Sequence, residues 1–235
     1  SEKLRSAQHG QGGHGGQPHW GYEGDLGPEK WGDVFPVCGA GKQQSPIDIR
    51  GPFDKATYEI KPEFQAGTLK ILNNGHTIQI NAVPGSKTLI NGESFDLLQF
   101  HFHRPSEERI EGKPSAMVAH FVHKSAGGKL AVVGVLFNEG SENSVIKTIW
   151  ANAPQTETPE KVVAETTVNP GALLPKRFHF YSFEGSLTTP PCTEGVTFYI
   201  LKTPMQMSRA QIEAFPFKAN ARPVQPLNGR KVLAN

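Results

Sequence analysis

Gln99-Phe-His-Phe-His-Arg-Pro-Ser-Glu-Glu108, followed by Met117-Val-Ala-His-Phe-Val-His123, is the stretch from which the rest of the chain can be read. On a β-strand, alternate side chains share a face. His101 and His103 therefore point one way, together with Gln99, while Phe100 and Phe102 point the other way, into a core. Pro105, Gly112 and Pro114 require a turn between 104 and 114. The apolar run from Ala116 to Val122 then returns beside the first strand and brings His120 across from the histidine pair. Three neutral imidazoles with one open position suit a catalytic zinc site rather than a closed structural one. The spacing His101-x-His103-x3-Glu107 also fits the metal site of cupins, which hold iron, manganese or zinc and would use Glu107 as a fourth ligand. The motif alone admits both readings.

Working outward, several runs have the length and patterning of strands: Tyr58–Ile60, Gly67–Asn73, Thr77–Ala82, Lys87–Ile90, Ser94–Arg104, Ala116–Lys124, Leu130–Phe137, Phe178–Phe183 and Val196–Leu201. Leu130–Phe137 is apolar on both faces and predicts a central, buried strand. Helical signals are few. Ser141 can cap a segment in which Val145, Ile146, Ile149 and Trp150 recur at helical spacing. Ser208-Arg-Ala-Gln211 has the capping-box pattern. Thr158-Pro159-Glu160 has the form of a short helix start. The expectation is a mainly β fold with short peripheral helices. Residues 1–18 are rich in Gly and Gln and predict a mobile tail, in which His9 and His14 are solvated. No linker or repeat follows His19, so 19–235 reads as one domain.

The 235 residues suffice for one β-rich domain with a sizeable core. Lys+Arg 24 against Asp+Glu 22 leaves +2, which argues against nucleic acid or an anionic membrane surface as partner. No apolar stretch approaches the roughly 18–20 residues of a membrane span. Ser1 in place of Met suits a processed chain whose signal peptide has been removed.

A second segment, Gly185-Ser-Leu-Thr-Thr-Pro-Pro-Cys192, separates the two metal readings. With the histidines it closely resembles the α-class carbonic anhydrases. The resemblance extends to His19-Trp-Gly-Tyr22, Gln44-Ser-Pro-Ile-Asp48, Asn73-Asn-Gly-His76, Ser106-Glu107 and Asn220-Ala-Arg-Pro223, in family order, and covers roughly residues 19–232. It implies a single domain around a large, twisted, mostly antiparallel sheet, with Zn2+ at the base of a cleft on His101, His103 and His120. It implies reversible hydration of CO2 to bicarbonate and a proton by zinc-hydroxide attack, and inhibition by sulfonamides and small anions. Non-catalytic relatives usually lack a zinc histidine, and all three are present here. Bacterial relatives are often dimers, so a homodimer is compatible with the resemblance.

The same resemblance implies roles for individual residues. Thr188 accepts from the nucleophile and donates to Glu107, and His76 is the proton shuttle, a task suited to an imidazole whose ordinary pKa is about 6.5. Tyr22, Asn74, Gln79 and Thr189 order the intervening waters, Thr189 also bordering the substrate. Val122, Val132, Leu187, Val196 and Phe198 form the wall that receives CO2. Gln99 and the Asn220 carbonyl accept from His101 and His103. His123 and His179 read as satisfied structural histidines. Cys38 pairs with Cys192, which implies an oxidising periplasm or exterior. Three positions depart from the family pattern. Gln79 stands where asparagine is common and Phe198 where tryptophan is common. Val118 stands where many members carry a glutamate that serves the third ligand. His120 should then find a water or a nearby neutral polar group as its acceptor.

Overall fold

The computed structural model describes residues 18–235. The expected tail over 1–18, with His9 and His14, lies outside the described residues but for Pro18. Eight strands make up most of the main sheet: β1 (Gly67–Asn73), β2 (Ile78–Asn81), β3 (Glu93–His103), β4 (Met117–Ser125), β5 (Leu130–Glu139), β6 (Thr158–Val168), β7 (Phe180–Ser186) and β8 (Glu194–Leu201). Their order is β6-β1-β2-β3-β4-β5-β8-β7, continued by Leu233–Ala234 and Asp54–Lys55 within a sheet of thirteen strands. Pairing is antiparallel throughout the eight except between β5 and β8. This is the large, mostly antiparallel sheet that the family resemblance implies.

Alternation decides where the core sits. On β3 and β4, Phe100, Phe102, Ala119 and Phe121 enter one apolar cluster, whereas Val118 and Val122 enter a second cluster on the opposite face. Phe100, Phe102 and Phe121 have no exposed surface. Each contributes about 1.5–3 kcal/mol by leaving water. β5 lies between β4 and β8 and is buried from Ala131 to Phe137, as its two-faced apolar run requires. The histidines thus stand on a sheet stiffened from behind by a close-packed aromatic layer.

Two helical expectations change. The helix Ser144–Asn152 forms, but its cap is Asn143, whose side chain accepts from the N–H groups of Val145 and Ile146; Ser141 lies too far upstream to reach them. Thr158-Pro159-Glu160 opens the strand β6 instead of a helix. β6 lies at the edge of the sheet, where a proline is tolerated, and its Val162, Val163, Thr166, Thr167 and Val168 are β-branched. The capping box of Ser208 and Gln211 forms as predicted before Arg209–Ala214. Cys38 and Cys192 are disulfide-bonded across 154 residues of sequence and sit beside Trp20 and Trp31. Among the described residues, no helix is long and apolar enough to cross a membrane.

Candidate metal centre

His101 on β3 lies directly opposite His120 on β4. His103 follows two residues on, and the three rings offer nitrogens that lie within 4.8 Å of one another. Each ring has its second nitrogen bound elsewhere. His101 Nδ1 donates to the Gln99 side-chain oxygen at 2.8 Å, and His103 Nδ1 donates to the Asn220 carbonyl at 2.8 Å. His120 Nε2 donates to the carboxylate of Glu108, with Oε2 at 3.1 Å and Oε1 closer. Carbonyl and carboxylate oxygens cannot donate, so the protons must sit on those nitrogens. The free lone pairs are then Nε2 of His101, Nε2 of His103 and Nδ1 of His120. His103 Nε2 is buried without a hydrogen-bond partner among the described residues.

Burial pulls His101 down to about 3 and holds His103 well below the usual histidine range, with the neighbouring histidines acting in the same direction. Both rings are neutral, as a metal would require. His120 is also pulled down by burial, but the charge and hydrogen bond of Glu108, then the charge of Glu107, raise it on balance. Glu107 is buried beneath the histidines, its Oε1 lying 3.2 Å from His103 Nε2 and 3.7 Å from His120 Nδ1. Its other oxygen accepts from the Arg222 backbone N–H at 2.8 Å, and its side chain is hydrogen-bonded to Thr188. Burial pushes Glu107 up to about 8, against the opposing effects of His120, Arg222 and Thr188. Three converging lone pairs above two fully enclosed carboxylates form a cluster that a cation completes electrostatically. The nitrogen donor set suits zinc.

A family model described as eukaryotic-type carbonic anhydrase matches residues 26–235. The chain belongs to this family. A carbonic anhydrase of Pectobacterium carotovorum is 45% identical over 222 residues, covering 92% of this chain and 90% of that protein. One of Neisseria gonorrhoeae is 43% identical, covering 94% of this chain and 89% of its own length. The solved α-carbonic anhydrase of Thermovibrio ammonificans, in complex with the inhibitor sulfanilamide, superposes with a TM-score of 0.88 at 41% identity, covering 93% of this chain and all of that one. The cupin reading is set aside: the chain is an enzyme of the carbonic anhydrase type, built on an open sheet.

A cleft lies beside the histidines. Val122, Val132, Leu187 and Phe198 supply its apolar lining, and Tyr22, Asn74, His76, Thr188 and Thr189 supply polar groups. Val196 does not line it. It is fully buried in the same apolar cluster as Val122, Val132, Leu187 and Phe198, two residues before Phe198 on the same face of β8, where its partner across the ladder is Leu130. Gln79 stands back as well. It pairs with His101 across the β2–β3 ladder, accepts from Asn74 Nδ2 at 3.4 Å and donates to Asn81 at 2.8 Å.

Local chemistry explains the approach to the cleft. In Asn73-Asn-Gly-His76, Gly75 takes φ +86°, a conformation that suits glycine, and Asn73 accepts from its N–H at 2.9 Å. Asn74 accepts from the N–H groups of His76 and Thr77 at 3.0 and 2.9 Å. The Asn220 side chain donates to the carbonyls of His76 and Phe102, each at 3.0 Å. One asparagine thus supports His103 through its carbonyl and the His76 turn through its amide.

The histidines outside the cluster divide. His123 is buried, donating from Nδ1 to the Phe121 carbonyl and meeting the Thr88 hydroxyl at Nε2, each at 2.8 Å, as a structural histidine should. His179 is exposed, because the chain there has not yet entered β7. The expected neutral acceptor for His120 is also corrected: the acceptor is a carboxylate, contributed by Glu108. Glu108 and Trp20 are the residues that sequence reasoning left out. Trp20 lies in the His19-Trp-Gly-Tyr22 block, and Glu108 was visible as the second of two consecutive glutamates in a turn.

Proposed function

We propose that the chain is a zinc-dependent carbonic anhydrase that interconverts CO2 and bicarbonate, with His101, His103 and His120 as the metal ligands. The observation that carries this reading is the set of three converging lone pairs, each fixed by a hydrogen bond at the other ring nitrogen. Zinc supplies Lewis-acid charge and brings the pKa of a water it holds to about 7, a value known for carbonic anhydrases.

The residues around the histidines supply orientation. Glu107 accepts from the Arg222 N–H and is joined to Thr188. With Glu107 ionised, the Thr188 hydroxyl donates to it and keeps its lone pair for the proton of the nucleophile, which is thereby aimed. Burial and the charge of Glu108 favour the protonated form of Glu107, and a neighbouring cation acts in the opposite direction. Val122, Val132, Leu187 and Phe198 offer CO2 an apolar wall beside that point. His76 then takes the proton away. The buried Tyr22 hydroxyl and the Trp20 indole N–H have no hydrogen-bond partner among the described residues, and waters that satisfied them would make a path from the centre to His76. Thr189, Asn74 and, through Asn74, Gln79 border the same path.

Residues 19–235 act as one domain around one main sheet. The Cys38–Cys192 disulfide supports an exported protein working in an oxidising compartment, a periplasm or the exterior. The test is metal analysis combined with a CO2 hydration assay. One zinc per chain is expected, with activity lost to a chelator, restored by zinc and blocked by one equivalent of an aromatic sulfonamide. Full hydration activity in metal-free protein would sink the proposal.

A further inference from the structure

We infer that Glu108 is a positioning residue for the metal centre: it holds the His120 ring and sets its tautomer, a task for which position 118 is unavailable. This rests on the zinc reading above. Glu108 has no exposed surface, and both of its oxygens lie on His120 Nε2. A carboxylate is buried so completely only where its hydrogen bonds offset desolvation. The contact is the strong, charge-assisted kind.

The carboxylate is held from behind. The Ser106 hydroxyl donates to the Glu108 carbonyl at 2.7 Å and accepts from the Ser115 N–H at 2.8 Å. The next residue, Arg109, donates its N–H to the Ile47 carbonyl at 3.3 Å. This small sheet of Asp48–Ile49, Arg109–Ile110 and Lys113–Pro114 fixes the turn between β3 and β4, so Glu108 meets His120 from a braced backbone.

Two consecutive carboxylates therefore address the two nitrogens of one imidazole. Glu108 accepts the hydrogen bond from Nε2–H, and Glu107 Oε1 lies 3.7 Å from Nδ1. A flipped ring would present carbon to both. The bond to Glu108 thus leaves the lone pair on Nδ1, the only nitrogen of His120 that faces the other two histidines. Val118, on the same strand face as His120, packs with Ile47, Ile49 and Val122 in the second apolar cluster. The carboxylate that valine cannot supply arrives from across the turn, and valine fills the space that a carboxylate at 118 would occupy.

The experiment compares the zinc-loaded protein with Glu108→Gln, Glu108→Asp, Val118→Glu and the double variant Glu108→Gln/Val118→Glu. Zinc release to a chelator and the visible spectrum of the cobalt-substituted forms are the readouts. Glu108→Gln, similar in shape but neutral, should release zinc about tenfold to 100-fold faster and shift the cobalt bands. Glu108→Asp keeps the charge at a shorter reach and should fall between. Val118→Glu alone buries a further carboxylate and should lose stability, whereas the double variant should recover much of the slow release. The inference is overturned if Glu108→Gln, or Glu108→Asp should the former not fold, matches the parent in both release rate and cobalt spectrum. A parent protein that takes up no stoichiometric zinc would instead overturn the metal reading itself.

Discussion

The imidazole of His76 lies face to face on the indole of Trp20, with ring centroids 3.6 Å apart and planes 8° from parallel. The stack holds the histidine at the lining of the cleft, with 8% of its surface exposed. If His76 carries the proton outward, His76→Ala should lower turnover in weak buffer roughly tenfold or more, toward the low end of general acid–base effects. The exchange of CO2 with bicarbonate at equilibrium should hardly change, and imidazole buffer should restore turnover. Trp20→Ala leaves the carrier but removes its platform, so its loss should be smaller. Equal losses at every buffer concentration would show that His76 does another job.

His103→Ala tests the centre itself. It removes a ligand and leaves the Asn220 carbonyl without its imidazole donor. Tight zinc binding and nearly all CO2 hydration should disappear together, as measured by metal content after dialysis and by stopped-flow assay. Retention of stoichiometric zinc would mean that the other two histidines suffice.

The Cys38–Cys192 bond closes a loop of 154 residues. Chain entropy then gives up to about 5 kcal/mol of stabilisation, reduced by any structure remaining in the unfolded chain. Reduction, or Cys38→Ser/Cys192→Ser, should lower the denaturation midpoint accordingly. It should also raise the hydrogen exchange of the Thr188–Thr189 segment, because the Cys192 N–H donates to the Thr189 carbonyl at 2.9 Å. A midpoint unchanged on reduction would contradict the assignment of stability to this bond.

His123 provides a pH test away from the metal. Burial lowers it from the ordinary 6.5 to about 4, with opposing hydrogen bonds at Phe121 and Ala131. The unfolded chain therefore binds a proton that the folded chain refuses between these values. Its contribution is fully present above about pH 6.5, is lost as pH falls toward about 4, and amounts to about 3 kcal/mol. In chemical denaturation, His123→Asn should show a flatter dependence of stability on pH across that window. Parallel curves for the two proteins would rule this out.

The strands and the histidine triad were legible because period two is a local signal. Phe100 and Phe102 had to oppose His101 and His103 whatever the partner strand was. β6 was illegible for the same reason: it is exposed on both faces for most of its length, so no alternation marks it, and Thr158-Pro159-Glu160 also suits a helix start. Asn143 and Ser141 are both capping residues, and only the position of the helix axis decides between them. Val196 shares a strand face with Phe198, and only the packing of β8 against β5 decides which of the two reaches the cleft. Glu108 was missed because a glutamate in a polar turn is ordinarily solvated; only the return of β4 under that turn encloses it. The missing carboxylate at Val118 was the available clue, since a buried His120 requires an acceptor from somewhere.

The dual role of Asn220 has a consequence for how the protein comes into being. A ribosome delivers β3 and β4 early, and the three histidines can meet through a local hairpin. The acceptor for His103 lies 117 residues later, and the backbone N–H that anchors Glu107 lies 115 residues later. Contacts so far apart in sequence form slowly. On the zinc reading, folding would then include an interval in which the chain can hold a metal but cannot orient a nucleophile. Activity would then wait for the segment bearing Asn220 and Arg222 to close over the turn, which would make metal uptake and catalytic competence separate events in the life of each chain.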